Sequence, residues 1–262
     1  MRHPEGATAL VQHHWDHAAR IYDEAISPAL GDVHRGVVRA LGEVRGLPVL
    51  DLGCGTGRVG ELLARAGARV TAVDLSPAMV AHARARLFAV AGAHARVHLM
   101  DAQALDLPDG AFPRVAASLS LMFCPDPGAA LGEARRVLSP DGTFAMAVWG
   151  LPEECETVRI GRVAAAFGEG PAPDTPTGQS LGDPVLLGGL LRDAGFGEVA
   201  MRRQVMRLRY PGSDAMWQAV LHVWGERIPR ERLPAAEAAT RREIARVGLP
   251  LHNAAWFVTA SA

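Results

Sequence analysis

Three carboxylates and a run of glycines are the residues of this chain best suited to hold a ligand. The segment VLDLGCGTGRVGELLARAG ends an apolar run at Asp51 and passes into Gly53-x-Gly55-x-Gly57. Glycines there let the backbone turn sharply and approach a ligand that any Cβ would obstruct. The overlapping Gly55-x-Gly57-x-x-Gly60 also satisfies the dinucleotide pattern, in which a pyrophosphate rests on a helix N-terminus. Asp51 separates the two possibilities, because a carboxylate ahead of the first glycine repels a pyrophosphate and attracts a cation. Asp74 closes the next apolar run, VTAVD, where an acid can accept both hydroxyl protons of a ribose. Nicotinamide enzymes use an acid in the same way, so Asp74 indicates a nucleoside without choosing which. Leu75 is placed to pack on an adenine face, and Asp101 follows a third apolar run.

The elements that must position these groups read as βαβ units. Short β-rich runs at 48–52, 69–73, 96–100, 114–120 and 142–149 alternate with helical segments at 57–66, 77–90 and 128–138. The second helix opens on Ser76-Pro77, an N-cap followed by proline at the first helical position. Residues 46–150 thus form one nucleotide-binding layer. Before it, residues 1–45 carry two amphipathic helices over 7–44, with Trp15, Ala18, Ala19 and Tyr22 on one face, expected to pack over the sheet edge as a helical cap. After it, 151–183 reads as an inserted lid, a helix near Glu153–Phe167 followed by the mobile composition GEGPAPDTPTG. Residues 184–262 complete the sheet, with a helix near 184–194, a strand near 198–209, helices across 213–247 and a last strand at 254–260. The expected fold is α/β and doubly wound.

Composition narrows the function. A formal net charge of -1 and 49% apolar side chains over 262 residues suit one well-packed unit and argue against a nucleic-acid or membrane-surface partner. No run approaches membrane-spanning length. Three cysteines, Cys54, Cys124 and Cys155, are too irregularly spaced for a disulfide framework or a zinc knuckle, which points to the cytoplasm. No cluster has metal-ligand spacing, so no metal is expected.

With its acid-x-Gly-x-Gly-x-Gly start, its second-strand acid and its third-strand MDAQ, the chain resembles the class I S-adenosylmethionine-dependent methyltransferases across 48–149. SLSLMFCPDPGAALGEARRVLSPDGTFAMAVWG extends the likeness, with an aromatic-proline turn, a helix ending Arg-x-Leu and a Pro-x-Gly turn into the fifth strand. The resemblance is greatest to the branch holding the ubiquinone and menaquinone C-methyltransferases and many natural-product O- and N-methyltransferases. It implies a mostly parallel seven-stranded sheet and S-adenosyl-L-methionine as methyl donor, released as S-adenosyl-L-homocysteine. It further implies that Asp51 faces the donor's cationic amino acid end, that Asp74 holds the ribose, and that Asp101 and the Ala102 amide meet the adenine. Gly53, Cys54, Gly55, Gly57, Leu75, Met79, Gln103, Ser118 and Tyr22 complete the implied cofactor contacts. Where the family usually has an acid, this chain has Pro113.

Methyl transfer from a sulfonium is mainly a problem of alignment, and a general base adds to the rate when the acceptor is a hydroxyl or an acidic carbon. His14, His17 and His222, with His13 beside them, are the candidates, although none of the 10 histidines has a distinctive spacing. Trp15, Tyr22, Phe123, Trp149, Phe167, Met216 and Trp217 offer flat or apolar surface for a small apolar or aromatic acceptor under the lid. The expected assembly is a monomer or a homodimer. Two alternatives remain: a cyclase-like or binding protein using the same pocket without methylation, and an NAD(P)-dependent oxidoreductase. The second lacks a Tyr-x-x-x-Lys pair in a chain without lysine.

Overall fold

The computed structural model describes residues 4–169 and 178–262. A helix α1 (Pro4–Ile21) leads through a π-helical turn at Tyr22–Ile26 and a 3-10 turn into α2 (Gly31–Ala40). The core follows as β1 (Pro48–Leu52), α3 (Arg58–Arg65), β2 (Arg69–Asp74), α4 (Pro77–Ala91), β3 (Ala95–Leu99), β4 (Phe112–Ser118), α5 (Pro127–Val137) and β5 (Leu138–Trp149). The chain then adds α6 (Glu156–Ala165), α7 (Pro184–Asp193), β6 (Val199–Leu208), α8 (Ser213–Trp224), α9 (Leu233–Val247) and β7 (Leu251–Ser261).

The strands form one seven-stranded sheet in the order β3-β2-β1-β4-β5-β7-β6. β1 to β5 are parallel, whereas β7 runs antiparallel to both β5 and β6. A dinucleotide-binding sheet has a sixth parallel strand beside the fifth. Here a return strand occupies that place, which separates this fold from the oxidoreductase alternative. The order reverses between β1 and β4, and in open α/β sheets ligands bind at such a switch point, outside the carboxyl ends of the strands.

Local chemistry explains why the helices start where they do. Ser76, Asp126 and Asp183 each accept a hydrogen bond from a backbone amide of the first turn, and proline follows each of them. β1 is buried along Val49–Leu52, as expected of a central parallel strand covered on both faces. Val33, Val37, Leu50, Leu63, Val115, Leu131 and Phe144 pack in one continuous core.

Two expectations need correction. α1 does not lie over a sheet edge; it packs on α4 and α8, with Trp15, Ala18, Ala19 and Tyr22 around Met79. It is held there by Asp16, whose Oδ1 accepts from the Ser76 hydroxyl and, at 3.2 Å, from the Ala78 amide. β5 begins at Leu138 rather than at 142, because Leu138 pairs with Phe112 before a bulge at Phe112/Arg114 resets the register. In the 151–183 segment, α6 packs against α8, α9 and β7, while 170–177, the centre of the expected lid, lies outside the described residues.

Candidate functional site

The carboxyl ends of β1, β2 and β4 open into a cleft lined by apolar side chains and a few polar groups, the composition of a small-molecule site. Its floor is the turn after β1. Gly53, Gly55 and Gly57 have φ of 68°, 53° and 84°, the left-handed region that favours glycine. A Cβ on Gly53 would lie 2.4 Å from the Ser120 Cβ, and one on Gly57 3.0 Å from the Ala83 Cα. At Gly55 a Cβ would meet only the Tyr22 ring, at 3.6 Å, so that glycine leaves space. The π-helical turn brings Tyr22 over this loop, and burial raises its phenol above the ordinary value, with the charge of Asp74 adding to the effect.

The three carboxylates all line the cleft. Asp74 closes β2; its Oδ2 accepts from the Gly55 amide at 2.8 Å and its Oδ1 from the Ser76 amide at 3.0 Å, so it clasps the glycine turn to the start of α4. Burial raises its pKa against these two bonds, while part of its surface still faces the cleft. Asp101 follows β3 and accepts from the Gln103 amide and from the Gln103 side chain, both at 2.9 Å. Gln103 Oε1 in turn accepts from the Asp126 amide at 2.8 Å. Asp51 is 1% exposed and its Oδ2 lacks a partner. Burial pushes its pKa up to about 7, the nearby Gly60 amide opposing this and the Asp74 charge adding to it.

Of the other expected cofactor contacts, Cys54, Leu75, Met79, Ala102, Ser118 and Tyr22 line the same cleft. Gly57 stands behind it as the N-cap of α3. The Cys54 thiol is pushed well above its ordinary value by burial, which makes it an inert neighbour rather than a nucleophile.

The histidines fall differently. His13, His14 and His17 are exposed on α1, and none of them, nor His222, is among the cleft-lining residues. His17 Nδ1 lies 2.9 Å from the His13 carbonyl oxygen, and the His14 and His222 rings are 5.2 Å apart. The histidine that the cleft does hold is His34, which is not one of the candidate bases. Only 4% exposed on α2, its Nδ1 lies 2.9 Å from Ser118 Oγ, while its Nε2 is unpartnered. Burial lowers its pKa to about 4, with Arg58 and Arg35 contributing, so the ring is neutral near pH 7. A lone histidine between Val33 and Val37 on the buried face of α2 was the available signal. Leu119, in the left-handed region at φ 56°, is a second feature of the cleft that composition could not show.

Residues 50–146 match the family described as a methyltransferase domain. The chain is 30% identical over 201 residues to an uncharacterized protein of Mycobacterium tuberculosis (strain ATCC 25618 / H37Rv), covering 76% of this chain and 70% of that one. It is 28% identical over 258 residues to the nocamycin O-methyltransferase of Saccharothrix syringae, covering 88% and 89%. Among solved structures, the YcgJ protein from Bacillus subtilis superposes with a TM-score of 0.63 at 16% identity, over 88% of this chain and 97% of that one. This chain belongs to the class I S-adenosylmethionine-dependent methyltransferases.

The methyltransferase cleft fits its donor on its own geometry. Gly55 leaves room where any side chain would intrude, Asp74 presents a carboxylate to the cleft, and buried polar atoms, Asp51 Oδ2 among them, await partners. Bound there, S-adenosylmethionine supplies a methyl group on a sulfonium, already activated for displacement. Among the described residues, no group of three or more His, Cys, Asp and Glu is placed to hold a metal ion. No described helix is long and apolar enough to cross a membrane.

Proposed function

We propose that the methyltransferase acts on a small apolar or aromatic acceptor, with the cleft residues in the roles that their positions suggest. The walls carry the proposal. Val11, Trp15, Met79, Leu119, Leu121 and Phe123 line the cleft, and Trp15 meets both Tyr22 and Phe123 edge to face, at 5.6 and 4.9 Å between centroids. Apolar walls exclude water and orient a flat substrate, and alignment is the main demand of methyl transfer.

On this reading Asp74 accepts the ribose hydroxyls, Leu75 packs on the adenine, Asp101 and the Ala102 amide meet its edge, and Asp51 receives the ammonium of the amino acid end. Gln103 steadies Asp101, and Met79 and Tyr22 close the cleft from above. The exposed histidines of α1 have no part in the transfer; if a base assists, it comes with the acceptor or from solvent. A cytoplasmic enzyme of secondary metabolism agrees with three free cysteines and with the similarity to the nocamycin O-methyltransferase.

The test is transfer of radiolabelled methyl from S-adenosylmethionine to an acceptor panel of phenols, apolar carboxylic acids, amines, transfer RNA and denatured protein. Label is expected in the small apolar or aromatic compounds. Label only in RNA or protein would overturn the acceptor class. Donor binding without transfer to any acceptor would favour the non-methylating use of the pocket.

A further inference from the structure

Arg86 is not among the cleft-lining residues, yet from α4 its guanidinium joins three elements around the cleft. Its Nε donates to the Thr56 carbonyl at 2.8 Å, its Nη2 to Asp23 Oδ1 at 2.5 Å and its Nη1 to Glu61 Oε2 at 3.2 Å. Thr56 belongs to the glycine turn after β1, Asp23 to the π-helical turn of the N-terminal cap, and Glu61 to α3. A planar guanidinium holds such acceptors in fixed directions, whereas an ammonium acts as a point charge.

Asp23 directly follows Tyr22, whose ring covers Gly55. The side chain that braces the floor of the cleft therefore also fixes the ring above it. The Arg86 and Asp23 side chains are 18% and 21% exposed, which keeps their charge-assisted bond from most solvent screening. The other cations near Asp23 are less well placed. Arg58 Nη2 is 3.6 Å from Oδ1 and reaches the Asp23 carbonyl oxygen at 3.4 Å, and His82 Nδ1 is 3.9 Å from Oδ2. Asp16 fastens α1 to the start of α4, so the bond to Arg86 is what holds the turn carrying Tyr22.

We propose that Arg86 is a positioning residue that latches the cap: its ion pair with Asp23 keeps Tyr22 over the glycine turn and sets how fast the donor and its demethylated product pass. The inference rests on the reading of this cleft as the donor site. None of Arg86, Asp23 and Glu61 lines the cleft, so the latch opposes entry and exit alike and cancels from the dissociation constant.

Stopped-flow tryptophan fluorescence with S-adenosylhomocysteine tests it, because Trp15 lines the cleft and meets Tyr22. Asp23→Asn and Arg86→Gln should each raise the association and dissociation rate constants about tenfold, leaving Kd within about threefold of wild type. The double variant should match the larger single effect, since either change removes the same contact. Arg86→Lys, which keeps the charge without the fork, should raise both rates by only about threefold. Thermal melts accompany each variant, and Asp23→Asn, which leaves the Arg86 bond to Thr56 in place, carries the test if Arg86→Gln unfolds. Rates within about twofold of wild type, a Kd that rises in step with the dissociation rate, or effects that multiply in the double variant would overturn the latch while the donor site stands. Failure of the wild type to bind S-adenosylhomocysteine would instead overturn the reading of the cleft.

Discussion

Raising the pH from about 6 to about 8 should tighten S-adenosylhomocysteine binding about tenfold, and most of the effect should pass through one carboxyl. In the free cleft burial pushes Asp51 up to about 7. Only its ionised form attracts the ligand ammonium, and the ligand in turn draws the carboxyl back toward the ordinary range. About a tenth of the molecules are ionised at pH 6 and about nine-tenths at pH 8, and apparent affinity follows that competent fraction. The difference is ~1.3 kcal/mol. Calorimetry at each pH, in two buffers of unlike ionisation heat, reads the linked protons directly: about 0.9 released at pH 6 and about 0.1 at pH 8. Asp51→Asn should lose most of this slope, and what remains has the same sign and belongs to Asp74, which burial also raises. A wild-type affinity that is flat across this range, with no proton released, would refute the placement of Asp51 against a cation.

Other expectations follow from single contacts. Asp74→Ala removes the acceptor of the Gly55 and Ser76 amides and of the ribose hydroxyls, and should weaken S-adenosylhomocysteine by about 1–3 kcal/mol in calorimetry; unchanged affinity would contradict its role. Gly57→Ala places a Cβ 3.0 Å from the Ala83 backbone at a φ of 84°, and should cost about 1–3 kcal/mol in urea unfolding, where a wild-type midpoint would count against the tight turn. His34 is neutral when folded, with a pKa of about 4 against 6.5 unfolded, so the unfolded chain binds the extra proton between those values. Its contribution is therefore present above pH 6.5 and falls by about 3 kcal/mol as the pH drops toward 4. Asp51 tilts stability the opposite way over a similar range, so the test is the difference between wild type and His34→Gln, which should shrink on acidification; a constant difference would contradict it. Methyl transfer should survive a strong chelator, and its loss would point to a metal.

The β1 turn, with its glycines and Asp51, was legible because backbone geometry there admits so few residues, and Ser76-Pro77 because capping chemistry is local. The doubly wound, mostly parallel sheet of seven strands followed from alternating strands and helices together with the family likeness, whereas the order of its strands is set by tertiary pairing. His34 was not legible. Its place between Val33 and Val37 marks a buried helix face but no chemistry, and its partner Ser118 is 84 positions away, so only tertiary packing puts it in the cleft. The seat of α1 was misplaced for the same reason: Asp16 docks on the Ser76 hydroxyl and the Ala78 amide, and Asp23 on Arg86, contacts of acids that sequence alone assigns to solvent. The register slip at Phe112 escaped because Ser139-Pro140-Asp141-Gly142 reads as a turn, whereas pairing with β4 draws Leu138 into the strand.

The most direct measurement is a calorimetric titration of the wild-type protein and of Asp74→Ala with S-adenosylhomocysteine, with NAD as the control ligand. Saturable one-to-one binding to the wild type, clearly weaker in the variant, and no heat from NAD are the expected results. Silence toward S-adenosylhomocysteine together with binding of NAD would contradict the assignment of the cleft.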